Sequence, residues 1–177
     1  QIRDVAVLLC FDTYVLPDLR VSVGEDLRAY DEDVQLLFMQ LASFHKSTKK
    51  KVLISPLRTL LIPFPKAEFF DSQSIEFGDT LDLQKLKDTL YQWGYHFTDI
   101  AASRGEVSFR GDIIDIYPID ADKPYRISLF DEEVETIQHY DEGTQKRLSD
   151  ELESLTFIPT FLALNKTQHE ALKNRTE

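Results

Sequence analysis

Val107-Ser108-Phe109-Arg110-Gly111-Asp112-Ile113-Ile114-Asp115-Ile116-Tyr117-Pro118 is the stretch whose reading decides the fold. Val107 and Phe109 alternate with Ser108 and Arg110, the period of two that sends successive side chains to opposite faces of a strand. Arg110-Gly111 is turn chemistry, and Asp112 to Tyr117 is a second, dense β run closed by Pro118. Further along, Tyr125, Ile127 and Leu129 alternate with Arg126, Ser128 and Phe130, and Val134 to Tyr140 is a fourth β candidate. Arg104-Gly105, Asp120 to Pro124 and Asp131-Glu132 supply the remaining turns or bulges. Short strands joined by tight turns predict an antiparallel, hairpin-rich sheet. The whole module, Tyr95 to Asp141, reads as a platform for docking another protein rather than for chemistry.

Strand parity makes that reading specific. With Tyr125, Ile127 and Leu129 turned to the core, Arg126, Ser128 and Phe130 face the other way. Val107 and Phe109 turn inward by the same rule, and Arg110 outward. An outward Phe flanked by two Arg has the composition of an interface hot spot. Phe130 ends its strand beside a turn, where a bulge would swing it into the core, and parity alone leaves both placements open.

Upstream the period changes. Thr80 or Asp82 caps a helix whose Leu83, Leu86, Leu90 and Trp93 share one face, and Gly94 stops it. A polar stretch, Asp71-Ser72-Gln73-Ser74, and a short strand through Phe77-Gly78 mark a domain boundary. Before it the chain alternates strand and helix. The apolar run Val5–Cys10 reads as a buried strand of a parallel sheet. Asp31-Glu32-Asp33 opens a helix with Val34, Leu37, Phe38, Leu41 and Phe44 or His45 at helical spacing. Val52-Leu53-Ile54 is a second strand, and Pro56 starts a short helix through Leu61 that Pro63 and Pro65 end. This rhythm predicts α/β layering. After the module, Thr144 to Leu155 reads as a charged helix or helical turn, Phe157-Ile158-Pro159 as an extended return, and Asn165 or Thr167 as the cap of a final helix. An apolar run so close to Gln1, and a helix that stops at Glu177, read as a piece excised from a longer protein.

Composition narrows the function classes. The chain has 177 residues, 42% hydrophobic and 29% charged, which fits a globular protein of one ordinary domain or two small ones. No apolar run approaches the roughly 20 residues that span a bilayer, and no signal peptide is visible. Cys10 is the single cysteine, so no internal disulfide forms, and a reducing cytoplasm is the simplest setting. The net charge of −11 repels phosphate backbones and argues against nucleic acid as a direct partner. None of the six glycines builds a phosphate-binding loop. His45, His96, His139 and His169 lack metal-ligand spacing, and neither Ser55-Pro56 nor Ser103-Arg104-Gly105 is a nucleophile elbow. Asp112 and Asp115 have the types of a paired acid and base or a metal site, but strand carboxylates beside Gly111 are better read as ending turns or pairing with the nearby arginines. Lys49 to Lys51 read as a solvated loop. No catalytic, cofactor-binding or metal-binding residue is expected.

The run from Arg104 to Pro118 follows Gly94-Tyr95 and continues in Pro124-Tyr125-Arg126-Ile127-Ser128-Leu129-Phe130-Asp131-Glu132-Glu133-Val134-Glu135-Thr136-Ile137, then Tyr140-Asp141. It resembles the module shared by the excision-repair helicases of the UvrB family and the bacterial transcription-repair coupling factors (the Mfd family). Thr144-Gln145-Lys146-Arg147, Leu16-Pro17-Asp18 and Leu53-Ile54-Ser55-Pro56 with Thr59-Leu60-Leu61 are similar to the N-terminal region of the coupling factors in particular. The resemblance implies that residues 1–78 are part of a degenerate motor-like, RecA/Rossmann-like α/β domain that has lost its nucleotide-binding residues. It implies that 79–158 form an α+β domain that binds UvrA, the damage-recognition subunit, and that 159–177 open the next subdomain. The UvrA-facing residues of the family fall on Arg110, Arg126 and Phe130, the three that parity turns outward. The implied role is non-catalytic: docking UvrA to recruit nucleotide excision repair to stalled RNA polymerase. The alternatives are the equivalent region of UvrB, or an intramolecular autoinhibitory module that docks the parent's own C-terminal domain. The family's ATP-dependent DNA translocase motor and its contacts with RNA polymerase and DNA lie elsewhere in its chain. Val107, where Phe is frequent, and Ser128, in a usually acidic position, depart from the family pattern without removing a proposed contact.

Overall fold

The structure, a computed structural model, describes residues 2–21, 25, 27–61 and 72–160. The chain divides into two units, Gln1–Phe70 and Asp71–Glu177, and the boundary read after Gly78 falls inside the second.

In the first unit two strands, β1 (Asp12–Val15) and β2 (Lys51–Ile54), run parallel with Asp12 opposite Lys51 and Val15 opposite Ile54. The run Val5–Cys10 is not a strand. Most of it lies in a helix, α1 (Ile2–Leu8), closed by Leu9 and Phe11 amides donating to the carbonyls of Val5 and Ala6 at 3.0 Å. Of its apolar residues Ala6 is buried, whereas Val5, Val7 and Leu8 are exposed. An uninterrupted apolar run has no period, so it satisfies a strand and a helix equally. Cys10, with φ at 60°, then turns the chain into Asp12–Val15, which takes the place beside β2.

The acidic opening Asp31-Glu32-Asp33 starts α2 (Asp31–Lys46), which buries Val34, Leu37, Phe38, Leu41 and Ala42. Phe44 rather than His45 continues that stripe, meeting Tyr14 of β1 edge-on at 5.6 Å, while His45 is exposed. Lys51 Nζ donates to the carbonyls of Phe44 and Ser47 at 2.7 and 2.8 Å, satisfying acceptors at the end of α2. A short helix, α3 (Leu57–Leu60), follows Pro56. Its buried Thr59 hydroxyl donates to Pro17 O at 2.8 Å and accepts from the Leu19 amide at 3.2 Å. The proposed stops at Pro63 and Pro65 lie outside the described residues.

The second unit holds a six-stranded sheet whose strands lie side by side in chain order. Its strands are β4 (His96–Phe97), β5 (Glu106–Arg110), β6 (Ile113–Tyr117), β7 (Tyr125–Phe130), β8 (Glu133–Tyr140) and β9 (Arg147–Glu151). All neighbours are antiparallel except β4 and β5. A separate two-stranded ribbon pairs β3 (Gln73–Glu76) with β10 (Ser154–Phe157), joining residues some eighty positions apart. The predicted helix over Thr144 to Leu155 is therefore absent, replaced by β9 and β10. Leu148, Leu152 and Leu155 do stand at helical spacing there, but distant pairing wins: Arg147 pairs with Tyr140, and Leu155 reaches the core as the partner of Ile75. The described chain ends at Thr160, so the helix proposed after Asn165 lies outside it.

Between these strands lies α4 (Leu83–Gln92). Of the two caps left open by the sequence, Asp82 is the one used: its carboxylate accepts from the Lys85 amide at 3.0 Å. Gly94, at φ 80°, closes the other end. Its amide donates to Tyr91 O and that of Tyr95 to Leu90 O, the paired bonds of a Schellman stop. Leu86 and Leu90 of α4, Ile75, Leu155 and Phe157 of the ribbon, and Val107, Ile114, Ile116, Ile127, Leu129, Val134 and Ile137 of the sheet form one core. That core covers the inner face of the sheet and leaves the outer face to other work. No described helix is long and apolar enough to cross a membrane.

Two stability predictions follow from this packing, both read by the fluorescence of Trp93, the only tryptophan, during urea unfolding. Ile127→Ala, at a side chain with no exposure, lowers stability by about 2–5 kcal/mol. Asp82→Ala removes the cap of α4 and costs about 1 kcal/mol. An Ile127→Ala protein as stable as wild type would contradict the core described here.

Candidate protein-binding face

The outer face is organised by one acid. Asp115 sits in β6 between the core residues Ile114 and Ile116, so parity turns it to the outer face, where it has no exposure to water. Its neighbour in register on β7 is Arg126. Arg126 Nε donates to Asp115 Oδ1 at 2.6 Å and Nη2 to Oδ2 at 2.8 Å, a two-pronged pairing of planar groups. Arg110, from β5 on the other side, donates through Nη2 to the same Oδ2. A carboxylate so far from water is tolerable only when paired and hydrogen-bonded, and two guanidinium groups do that here. This is the pairing with nearby arginines expected for the strand acids. Asp112, by contrast, is exposed at the turn, where its carbonyl accepts from the Leu129 amide.

Arg126 lies on the outer face, as parity requires, yet only 9% of it is exposed. Its Nη1 donates to Gln145 O at 3.0 Å, and its guanidinium stacks 4.6 Å above the Tyr140 ring. The segment that delivers Gln145 is folded by Asp141, whose carboxylate accepts from the Thr144 amide and hydroxyl at 2.7 Å. Those bonds hold the Asp141 pKa below its ordinary value. The Tyr140 hydroxyl donates to Ala101 O. Burial, then the charge of Asp115, raises its pKa far above the ordinary tyrosine range, so it stays a neutral donor. The pKa of Arg126 is also raised, first by its hydrogen bond to Asp115. Arg126 is thus a fully engaged structural cation rather than a free one, a distinction parity does not draw.

Phe130 is the opposite case, with 69% of it exposed. The register of β7 and β8 does contain a bulge, since Ser128 pairs with Thr136 but Leu129 with Val134. The extra residue, Glu135, is in β8. The alternation of β7 is therefore intact, Leu129 stays in the core and Phe130 points away from it. The hairpin tip Asp131-Glu132 has φ of 50° and 78°, the left-handed pair that a tight type I′ hairpin requires. The tip is also pinned: Leu81 N–H donates to Glu132 O and Val134 N–H to Asp79 O, each at 2.8 Å. Phe130 consequently stands on a fixed support.

The structure brings Arg110, Arg126 and Phe130 onto one face, with Arg110 and Arg126 joined through Asp115. The sequence reading missed Gln145, whose carbonyl role carries no side-chain signal, and Arg147, whose guanidinium donates to Ser128 Oγ at 2.9 Å on this face. Among the described residues no group of His, Cys, Asp and Glu is arranged to hold a metal ion. A pinned, exposed aromatic on the same face as arginines has the composition of an interface hot spot.

Comparison with known proteins places this face in a family. Residues 74–161 match the family model described as the UvrB interaction domain. The chain is 37% identical to the transcription-repair-coupling factor of Helicobacter pylori strain J99 over 166 residues, which is 92% of the chain and 16% of that protein. It is 33% identical over 109 residues to the factor of Bacillus subtilis, covering 60% of the chain and 9% of the relative. To that of Escherichia coli it is 28% identical over 113 residues, 63% of the chain and 10% of the relative. The chain thus spans about a sixth of the length of the Helicobacter pylori factors that it matches. With a UvrB interaction domain over the unit that carries the arginine–phenylalanine face, and a coupling-factor match along nearly all of its sequence, the chain belongs to the transcription-repair-coupling factor family.

Proposed function

We propose that the outer face of the six-stranded sheet is the surface by which this chain docks UvrA, and so helps to recruit nucleotide excision repair to a stalled RNA polymerase. One observation carries the reading: a large apolar side chain, Phe130, is held exposed on a pinned hairpin, on the same face as Arg110 and Arg126 and inside the segment matched by the UvrB interaction domain. Exposing an aromatic ring to water is unfavourable in the free protein, by roughly 25 cal/mol per Å² of apolar surface, and that free energy is recovered when a partner covers it. The UvrB interaction domain match and membership of the coupling-factor family support UvrA as that partner.

The three residues then do different things. Phe130 enters an apolar pocket on UvrA. Arg110 keeps a substantial part of its side chain exposed beside Asp115 and meets a carboxylate there. Arg126 works from beneath, as a positioning residue that keeps Asp115 and the Gln145 segment in place. We read the first unit as part of a degenerate motor-like α/β domain, and residues 79–158 as the UvrA-binding domain. The chain itself acts by binding. ATP-driven movement on DNA and the contact with RNA polymerase belong to the portions of the parent that it does not span.

Calorimetric titration with purified UvrA tests this division of roles. Phe130→Ala weakens the complex by about 1–3 kcal/mol and leaves the urea unfolding curve unchanged. Arg126→Ala weakens the complex too, but also lowers stability by about 3–5 kcal/mol, because it leaves a buried carboxylate short of its main partner. Wild-type affinity in Phe130→Ala would overturn the proposed function. An Arg126→Ala protein of undiminished stability would overturn the positioning role alone.

A further inference from the structure

Arg147 is a cation on this face that Asp115 does not neutralise. It belongs to β9, the strand at the edge of the sheet, yet its guanidinium bonds to Ser128 of β7 at 2.9 Å. Its side chain therefore spans β8 on the outer side. Among the described residues no carboxylate pairs with it, whereas Arg110 and Arg126 share one. One bond to a hydroxyl uses one of the five N–H donors of a guanidinium and leaves the rest for a ligand.

Its position relative to the other groups is set by register. Arg110 pairs with Ile113, Ile113 with Ser128, and Ser128 with Thr136. Arg110 and the head of Arg147 therefore stand at the two ends of one cross-strand row, about 10 Å apart at a spacing of about 4.8 Å per strand. Ile113 lies between them, and Ser128 holds the Arg147 end of the row. Phe130 follows two residues along β7 from Ser128, on the same face. The row is apolar in its middle and cationic at both ends.

This local charge runs against the chain as a whole, which carries 31 acidic and 20 basic residues. At physiological salt, charges further off than about 8 Å are largely screened, so local groups and not the net charge decide what can be seated there: the two arginines of the row, with Glu133 across from Phe130. The complementary surface is acidic, with carboxylates placed on either side of an apolar contact.

We propose that Arg147 is a direct contact of the docking face: together with Arg110 it frames the Ile113–Ser128 pair and takes a carboxylate of the partner segment that receives Phe130. This rests on the docking function proposed above and extends it from a pocket for one ring to an acidic rim around that pocket.

The test is a calorimetric titration of the chain with purified UvrA at low and at physiological salt, comparing wild type with Arg147→Ala, Arg147→Glu and Phe130→Ala. Arg147→Ala is expected to weaken binding about 3–10-fold and Arg147→Glu by more, with a shallower salt dependence of affinity in Arg147→Ala. The urea unfolding midpoint of Arg147→Ala stays at the wild-type value, since its one bond to Ser128 lies at the surface. If both Arg147 variants bind as wild type does while Phe130→Ala binds more weakly, Arg147 is no contact and the docking function stands. If Arg147→Ala loses affinity only together with stability, its role is structural and the proposal fails. If Phe130→Ala also binds as wild type does, the docking function falls and the Arg147 contact with it.

Discussion

A carboxylate shut away from water in the middle of a β-sheet needs cations, and the outer face of the second unit is built to supply them. Asp115 receives two hydrogen bonds from Arg126 and one from Arg110. These residues come from three adjacent strands, so the acid ties β5, β6 and β7 together across their hydrogen-bonded ladders. It also specifies register. A slip of β6 by one residue would carry Asp115 into the apolar core and Ile114 or Ile116 out of it. A buried ion pair contributes little net stability over a well-packed apolar substitute, so its worth here lies in the arrangement it enforces.

The two faces of the sheet are built differently. Inward, α4 and the β3–β10 ribbon close an apolar core in which the pairing of distant segments resists local opening. Outward, the same strands present groups that the core does not need. The bulge at Glu135 illustrates the division. It adjusts β8 and leaves the alternation of β7 untouched, so one strand carries Ile127 and Leu129 in the core and Arg126, Ser128 and Phe130 on the other side. The Asp131-Glu132 tip accepts two residues at positive φ where glycine or asparagine is easier, and backbone bonds from Leu81 and to Asp79 hold it there.

Much of this was legible in the residues because period and turn chemistry agree with the tertiary structure. The alternation in Val107–Arg110 and Tyr125–Phe130, the Asp82 cap and the Gly94 stop each act through local geometry, and the sheet and α4 followed from them. Local signals failed where the deciding contact is distant. Val5–Cys10 is uniformly apolar, and only the pairing of Asp12–Val15 with a strand some forty residues on shows that it is not needed as a strand. Thr144 to Leu155 is charged enough to pass for a surface helix, and only Ile75 and Tyr140 reveal it as two strands. On the outer face parity placed Arg110 and Arg126 on the right side of the sheet and left Phe130 open, which the intact alternation of β7 decides. It did not separate the engaged Arg126 from the exposed Phe130, because parity describes direction and engagement depends on Asp115, Gln145 and Tyr140.

The central claim is that the face ordered by Asp115, and not the helical side of the unit, meets UvrA. A photo-crosslinking amino acid placed at Phe130 or at Tyr91 tests it most directly, since Tyr91 is 76% exposed on α4, the helix that covers the inner face. On irradiation with purified UvrA, the account predicts a crosslink from position 130 and none from position 91. A crosslink from position 91 with none from position 130 would contradict it.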